Sequence, residues 1–139
     1  TGTASGGEQV TEKVLDTGFM MLEERYDDEY GGLGDAPKFP SPHNLLFLLR
    51  YWKRTGNMKA LEMVENTLTH MAKGGIWDHV GYGFHRYSTD KEWRVPHFEK
   101  MLYDQAMLLM AYTEAYQATG EPLYREIGEQ IVTYVLRDL

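Results

Sequence analysis

Cysteine is absent from the chain, which excludes disulfides, thiolate metal centres and a Cys-x-x-Cys redox motif. Basic residues are scarce: 14 Lys and Arg stand against 21 Asp and Glu, a net charge of −7. Non-specific nucleic-acid binding relies on cations that neutralise phosphates, so no nucleic-acid partner is expected. No apolar run approaches the ~20 residues of a membrane span, and no secretory signal is visible. The expected location is cytoplasmic, with no membrane partner, although a missing signal says little of an excerpt. Long period-2 alternation is missing as well, which leaves little material for a sheet.

What the sequence does contain is helical. The 139 residues are 42% hydrophobic and 25% charged, an ordinary globular balance. A chain of this length buries roughly two-thirds of its unfolded surface and makes one domain, or one piece of a larger one. Residues 1–7 are small, polar and glycine-rich and read as a linker or an expression remnant. The folded part is expected over 8–139. Five helices are predicted there, near 8–26, 42–55, 57–73, 97–119 and 122–137. The first carries Val10, Val14, Leu15, Met21 and Leu22 as its apolar face. The second starts at Pro42 with Ser41 as its cap and is apolar nearly all round, as in a helix surrounded by protein. Leu61, Val64, Leu68 and Met71 mark the core stripe of the third. Phe98, Met101, Leu102, Leu108, Leu109, Tyr112 and Tyr116 mark the fourth. Tyr124, Ile127, Ile131, Val132 and Val135 mark the fifth. A short β-hairpin is the one strand candidate, over 82–95.

The connections alternate. Thr55-Gly56-Asn57 and Thr119-Gly120-Glu121 are tight turns with a helix-ending glycine, while the loops that begin at Gly31 and Gly74 are long and glycine-rich. Loop length and glycine pattern alternate together, which favours a repeated helical hairpin over a plain bundle. In an antiparallel array both long loops then emerge at one pole. That pole collects the unusual chemistry. The second long loop holds Trp77, Asp78, His79, His85, Arg86, Tyr87, Trp93, Arg94, His97, Glu99 and Asp104 within ~30 residues, a density typical of functional loops. Aromatic rings beside His, Asp, Glu and Arg suit a pocket that stacks a polar ring and hydrogen-bonds its hydroxyls. His97, Met101 and Asp104 would share one face of the fourth helix. Asp78, Glu99 and Asp104 are candidates for paired-carboxylate chemistry, but an Asp that caps a loop is the commoner fate of such a residue. The histidine spacings are not those of helical metal pairs, so no metal site is expected.

Three runs carry a resemblance. They are Gly32-Leu33-Gly34-Asp35-Ala36-Pro37-Lys38-Phe39-Pro40, then Gly74-Gly75-Ile76-Trp77-Asp78-His79, and Trp93-Arg94-Val95-Pro96-His97-Phe98-Glu99-Lys100-Met101-Leu102-Tyr103-Asp104. Together with Gly83-Phe84-His85-Arg86-Tyr87-Ser88, they resemble the YyaL-like, or spermatogenesis-associated protein 20, family. The resemblance implies a thioredoxin-like domain followed by an (α/α)6 toroid like that of N-acylglucosamine 2-epimerases and six-hairpin glycosidases. It implies that this all-α chain is an excerpt of about two and a half hairpins, without the thioredoxin-like domain and the remaining hairpins. By fold analogy it implies a sugar or polyol ligand at the loop pole and no cofactor.

On this reading His97 and His79 are acid/base candidates, because an imidazole titrates near neutrality. Asp78, Asp104 and Glu99 are the carboxylates that orient them or act themselves. Trp77, Tyr87 and Trp93 supply stacking surface, and Arg86 and Arg94 hold an anionic or hydroxylated group. His85, Lys38 and Phe39 complete the ligand contacts. The competing reading is a noncatalytic interaction module, in which the same side chains pin the loops and a flat apolar patch lies nearby. In either case the excerpt is expected to be inactive alone, and to oligomerise or expose apolar surface where the toroid is opened.

Overall fold

The computed structural model describes residues 2–138, with side chains described for 11–138. The core role expected of Val10 falls outside the residues whose side chains are described, and residues 2–7, expected as a linker, are the backbone of the first turns of a helix. Five helices follow in order: α1 (Gly2–Arg25), α2 (Pro42–Thr55), α3 (Met58–Lys73), α4 (Leu102–Thr119) and α5 (Pro122–Asp138). Among the described residues, extended backbone pairs only as isolated bridges. No described helix is long and apolar enough to cross a membrane.

Two tight turns fold the helices into hairpins, α2 with α3 and α4 with α5. Each turn ends its first helix on a left-handed glycine, Gly56 at φ 76° and Gly120 at φ 72°, whose N–H returns to the carbonyl of Trp52 or Tyr116. Only glycine takes that conformation without a Cβ clash. Asn57 then caps α3, its side chain accepting from the N–H groups of Lys59 and Ala60. The hairpins stand side by side. α2 packs on α4, α3 packs on α5, and α1 lies against α2.

The core forms where these layers meet. Leu61, Val64, Leu68 and Met71 of α3 are buried as their spacing requires, and Leu108 and Tyr112 of α4 meet Tyr124, Ile127 and Ile131 of α5. α2 buries Leu45, Leu46, Leu48, Leu49 and Tyr51, consistent with a helix that has protein on several sides. Ser41 precedes α2, but its side chain makes no capping bond. Its left-handed backbone (φ 46°) instead directs its carbonyl to the N–H groups of Asn44 and Leu45. α1 buries Phe19, stacked on Tyr51 at 4.8 Å, while Val14 and Met21 are exposed with Met20. Exposed apolar side chains lie instead on the flanking helices, among them Val14, Met20 and Met21 of α1 and Val132 and Leu136 of α5.

The fourth helix starts later than its apolar pattern predicts. Residues 97–101 stay outside the helix, with several of their backbone groups already engaged. The His97 N–H donates to the Tyr87 carbonyl, the Glu99 N–H to that of His97, and the Arg86 N–H to that of Glu99. The His97 and Glu99 carbonyls, which would open the i→i−4 ladder of such a helix, are thereby occupied. The face predicted to unite His97, Met101 and Asp104 therefore does not form, and Phe98, Met101 and Leu102 lie outside the core. The hairpin expected over 82–95 is reduced to a bridge between Ser88 and Pro96, with a second between Trp77 and Phe84.

Candidate functional site

Both long loops emerge at one pole and interlock there. Lys38 of the first and Ser88 of the second exchange backbone hydrogen bonds of 2.7 and 2.8 Å. The Lys38 side chain is fully buried. Its Nζ donates to Asp27 Oδ2 at 2.6 Å and to the Gly31 carbonyl at 2.8 Å, and lies over the Trp93 ring. Burial pushes the Asp27 carboxyl up, but hydrogen bonds from Lys38 and from the backbone of Tyr30 and Glu29 outweigh it and hold the group below its ordinary range.

Trp93 is the hub. It is completely buried and donates its Nε1–H to the Tyr30 carbonyl at 2.9 Å, across from the other loop. Its backbone sits at φ 64°, a rare conformation for a bulky residue that persists only when the surroundings over-determine it. The surroundings do so. The Trp93 carbonyl accepts from Ile76, and the ring packs so close to Gly32 that a Cβ there would lie 2.6 Å from Cζ2. Trp77 is also buried, packed on Phe84 and Tyr82. Lys38, Trp77 and Trp93, which the sequence offers as ligand contacts, thus have almost no surface for a ligand; Lys38 and Trp93 join loop to loop, and Trp77 packs within its own loop.

Two further clamps fix the second loop. Gln105 of α4 reads Phe84 with both ends of its amide, accepting from N–H at 2.8 Å and donating to the carbonyl at 2.7 Å. Asp78 accepts from Lys100 Nζ at 2.7 Å and from the N–H groups of Gly81 and Val80. The Lys100 bond leads the causes that pull the Asp78 carboxyl down to about 2. Lys100 Nζ also donates to the Tyr82 carbonyl and lies over Tyr134 of α5. Asp78 is therefore held in the loop. His79 is exposed, with Nε2 3.0 Å from the Gly74 carbonyl of its own loop. Arg94 is exposed and pairs with Glu92 at 3.1 Å.

The remaining candidates gather at the rim. Phe39 packs on Tyr87 at 4.8 Å, and Tyr87 stacks on His97 at 4.7 Å with planes only 6° apart. Glu99 Oε2 lies 3.5 Å from His97 Nε2 and 3.6 Å from Arg86 Nη1. Asp104, on the first turn of α4, joins this group electrostatically. Burial raises its carboxyl, Arg86 opposes the shift and Glu99 adds to it. His85 stands beside the rim with its ring edge against Phe98, and its Nδ1 is buried without a hydrogen-bond partner. Burial, then the charge of Lys100, pushes its imidazole down, against the pull of Asp78. The arrangement brings together Phe39, Arg86, Tyr87, His97, Glu99 and Asp104, and ties Asp78 instead to the Lys100 clamp. Among the described residues, no three His, Asp or Glu side chains group as ligands for a metal.

Sequence reasoning missed Asp27, Gln105, Lys100 and Asp90, whose Oδ1 accepts from the N–H groups of Arg94 and Val95 to close the turn that contains Trp93. Only Gln105 left a signal, a lone amide in the stripe that contains Leu108 and Tyr112.

The fold and the chain both have relatives. No protein-family model matches the chain. The structure resembles cellobiose 2-epimerase from Bacillus thermoamylovorans B4167 with a TM-score of 0.77 at 16% identity, over 93% of this chain and 37% of that one. It resembles a sugar epimerase from a ruminal bacterium with a TM-score of 0.76, over 87% of this chain and 34% of that one, also at 16% identity. The helical hairpins are thus part of an (α/α)6 toroid, and likeness at this identity speaks for the fold alone. In sequence, the chain is 53% identical to spermatogenesis-associated protein 20 of Homo sapiens and 52% identical to that of Mus musculus, each over 125 residues. It is 42% identical over 121 residues to an uncharacterised protein of Caenorhabditis elegans. These matches cover 87% of this chain against the two mammalian proteins but only 16% of their length. Over the segment it spans, the chain belongs to the spermatogenesis-associated protein 20 family.

Proposed function

We propose that this segment supplies part of a sugar- or polyol-binding site at the loop pole of an (α/α)6 domain, with His97 as its proton carrier. The observation that carries the reading is the stack of Phe39, Tyr87 and His97 beside Glu99. An aromatic wall offers a face to the C–H side of a sugar ring, and the polar edge offers hydroxyl partners. Arg86 and Asp104 extend that edge. In a longer protein, further hairpins and a thioredoxin-like domain would be the partners that complete the pocket. The chain alone forms part of a pocket, so weak binding without turnover is its expected behaviour.

The test is an NMR titration of the chain with cellobiose, mannose and glucose 6-phosphate, read at the ring signals of Phe39, Tyr87 and His97. A saturable shift with at least one sugar, lost in His97→Ala, is expected. No response at these rings, or the same response in both proteins, rejects the reading.

A second reading also has an observation behind it. The apolar residues that follow His97 are open to solvent: Phe98 is 81% exposed, Met101 42%, Leu102 55% and Tyr103 71%. Contiguous exposed apolar surface is a mark of protein contact, and Asp78 is engaged in pinning its loop. On this reading the segment is a noncatalytic interaction module. Binding of an apolar dye that Phe98→Ser and Tyr103→Ser abolish, together with silence toward all three sugars, favours the module.

A further inference from the structure

We propose that Glu99 is a positioning residue that sets the tautomer of His97, leaving Nδ1 as the nitrogen that takes a proton from a ligand hydroxyl. The assignment rests on the reading of His97 as the proton carrier. Three constraints define the geometry. The His97 ring lies flat on Tyr87, 6° from parallel, which limits its roll. The His97 N–H is held by the Tyr87 carbonyl at 2.9 Å, so the backbone cannot turn the ring away. Nε2 lies 3.5 Å from Glu99 Oε2. An ionised carboxylate only accepts, so it favours the imidazole proton on the nitrogen that faces it. The other nitrogen keeps its lone pair.

Glu99 is itself braced. Its N–H donates to the His97 carbonyl at 2.7 Å, and its carbonyl accepts from Arg86 N–H at 2.7 Å. Arg86 Nη1 approaches the same carboxylate oxygen at 3.6 Å. A guanidinium stays charged and accepts nothing, so Arg86 cannot receive the imidazole proton. In the step itself, Nδ1 takes the hydroxyl proton, the O–H electron pair stays on the ligand oxygen, and the imidazolium keeps Nε2–H toward Glu99. The carboxylate stabilises that cation, and return of the proton restores the starting state.

The experiment contains no sugar, so its failure is separable from failure of the ligand reading. Nitrogen-15 NMR of the 139-residue chain at pH 9, above the ordinary imidazole range, reports the His97 tautomer in the unsubstituted chain, Glu99→Gln and Glu99→Ala. Circular dichroism checks that each folds. Nε2–H is expected to dominate in the unsubstituted chain. The ratio of Nε2–H to Nδ1–H should drop about threefold or more in both variants, while the His85 signals stay in place as an internal reference. An unchanged ratio in Glu99→Gln and Glu99→Ala, or a dominant Nδ1–H form in the unsubstituted chain, overturns the assignment.

Discussion

The two halves of the loop pole use the same residue types for opposite ends. Inside, Lys38, Trp93, Gln105 and Asp78 have their polar atoms paired and, for the first three, no exposed surface. At the rim, Phe39, Arg86, Tyr87, His97 and Glu99 touch one another loosely, at ring contacts near 4.7 Å and charge contacts near 3.5 Å, with open faces left over. Burial separates the roles. A buried cation or amide must be fully partnered, so it becomes architecture. A half-exposed one keeps a free valence that a ligand can take. The locked interior is also what holds the rim, since Lys38 leads directly to Phe39 and Ser88 directly from Tyr87.

Substitutions should therefore sort by side of that divide. Trp93→Ala removes the hub and should cost ~3–5 kcal/mol, read as a lowered urea midpoint. If it costs under about 1 kcal/mol, the interlock is not what holds the pole. Gln105→Leu leaves both backbone groups of Phe84 unpaired and should cost about 2 kcal/mol by the same measurement. It should also raise amide exchange at Phe84.

Asp78→Asn should cost roughly 1 kcal/mol near neutral pH, because the side chain is partly exposed and its ion pair is screened. Its pH signature is sharper. The folded carboxyl titrates at about 2, below the ordinary 3.8, so between these values the unfolded chain binds more protons. The stabilisation is complete above about pH 4 and disappears as pH falls toward 2. Urea midpoints measured from pH 6 to pH 2 should fall less steeply in Asp78→Asn, and parallel curves would place Asp78 outside the lock. The smallest effect is expected at the rim. His97→Ala should shift stability by no more than ~0.5 kcal/mol, the range of surface changes, while removing the response to sugar. A large loss of stability there would move His97 from the rim into the lock.

Much of this was legible in advance. The helical hairpins followed from apolar spacing and from the glycines at 56 and 120, because those signals are local. The shared pole followed from alternating loop lengths, and the Lys38–Ser88 pairing confirms it. The start of α4 was not legible. Residues 97–101 have a helical pattern, yet the backbone of residues 86 and 87 claims the Glu99 carbonyl and the His97 N–H from a distance in sequence. Trp93 and Lys38 were read as ligand contacts because sequence reports residue type and not depth. His97 and Glu99 were found as candidates through their density in one loop, but only the backbone bonds from Glu99 to His97 and from His97 to Tyr87 set them beside Tyr87.

The amino-acid order alone determined the helices, their pairing into hairpins and the collection of His, Trp, Arg and carboxylates on two loops, since these depend on spacing and backbone preference. The tertiary structure decided which of those side chains stay available. Availability depends on what comes to lie on top of each residue, and here two loops distant in sequence bury one set against each other and leave the other at the edge.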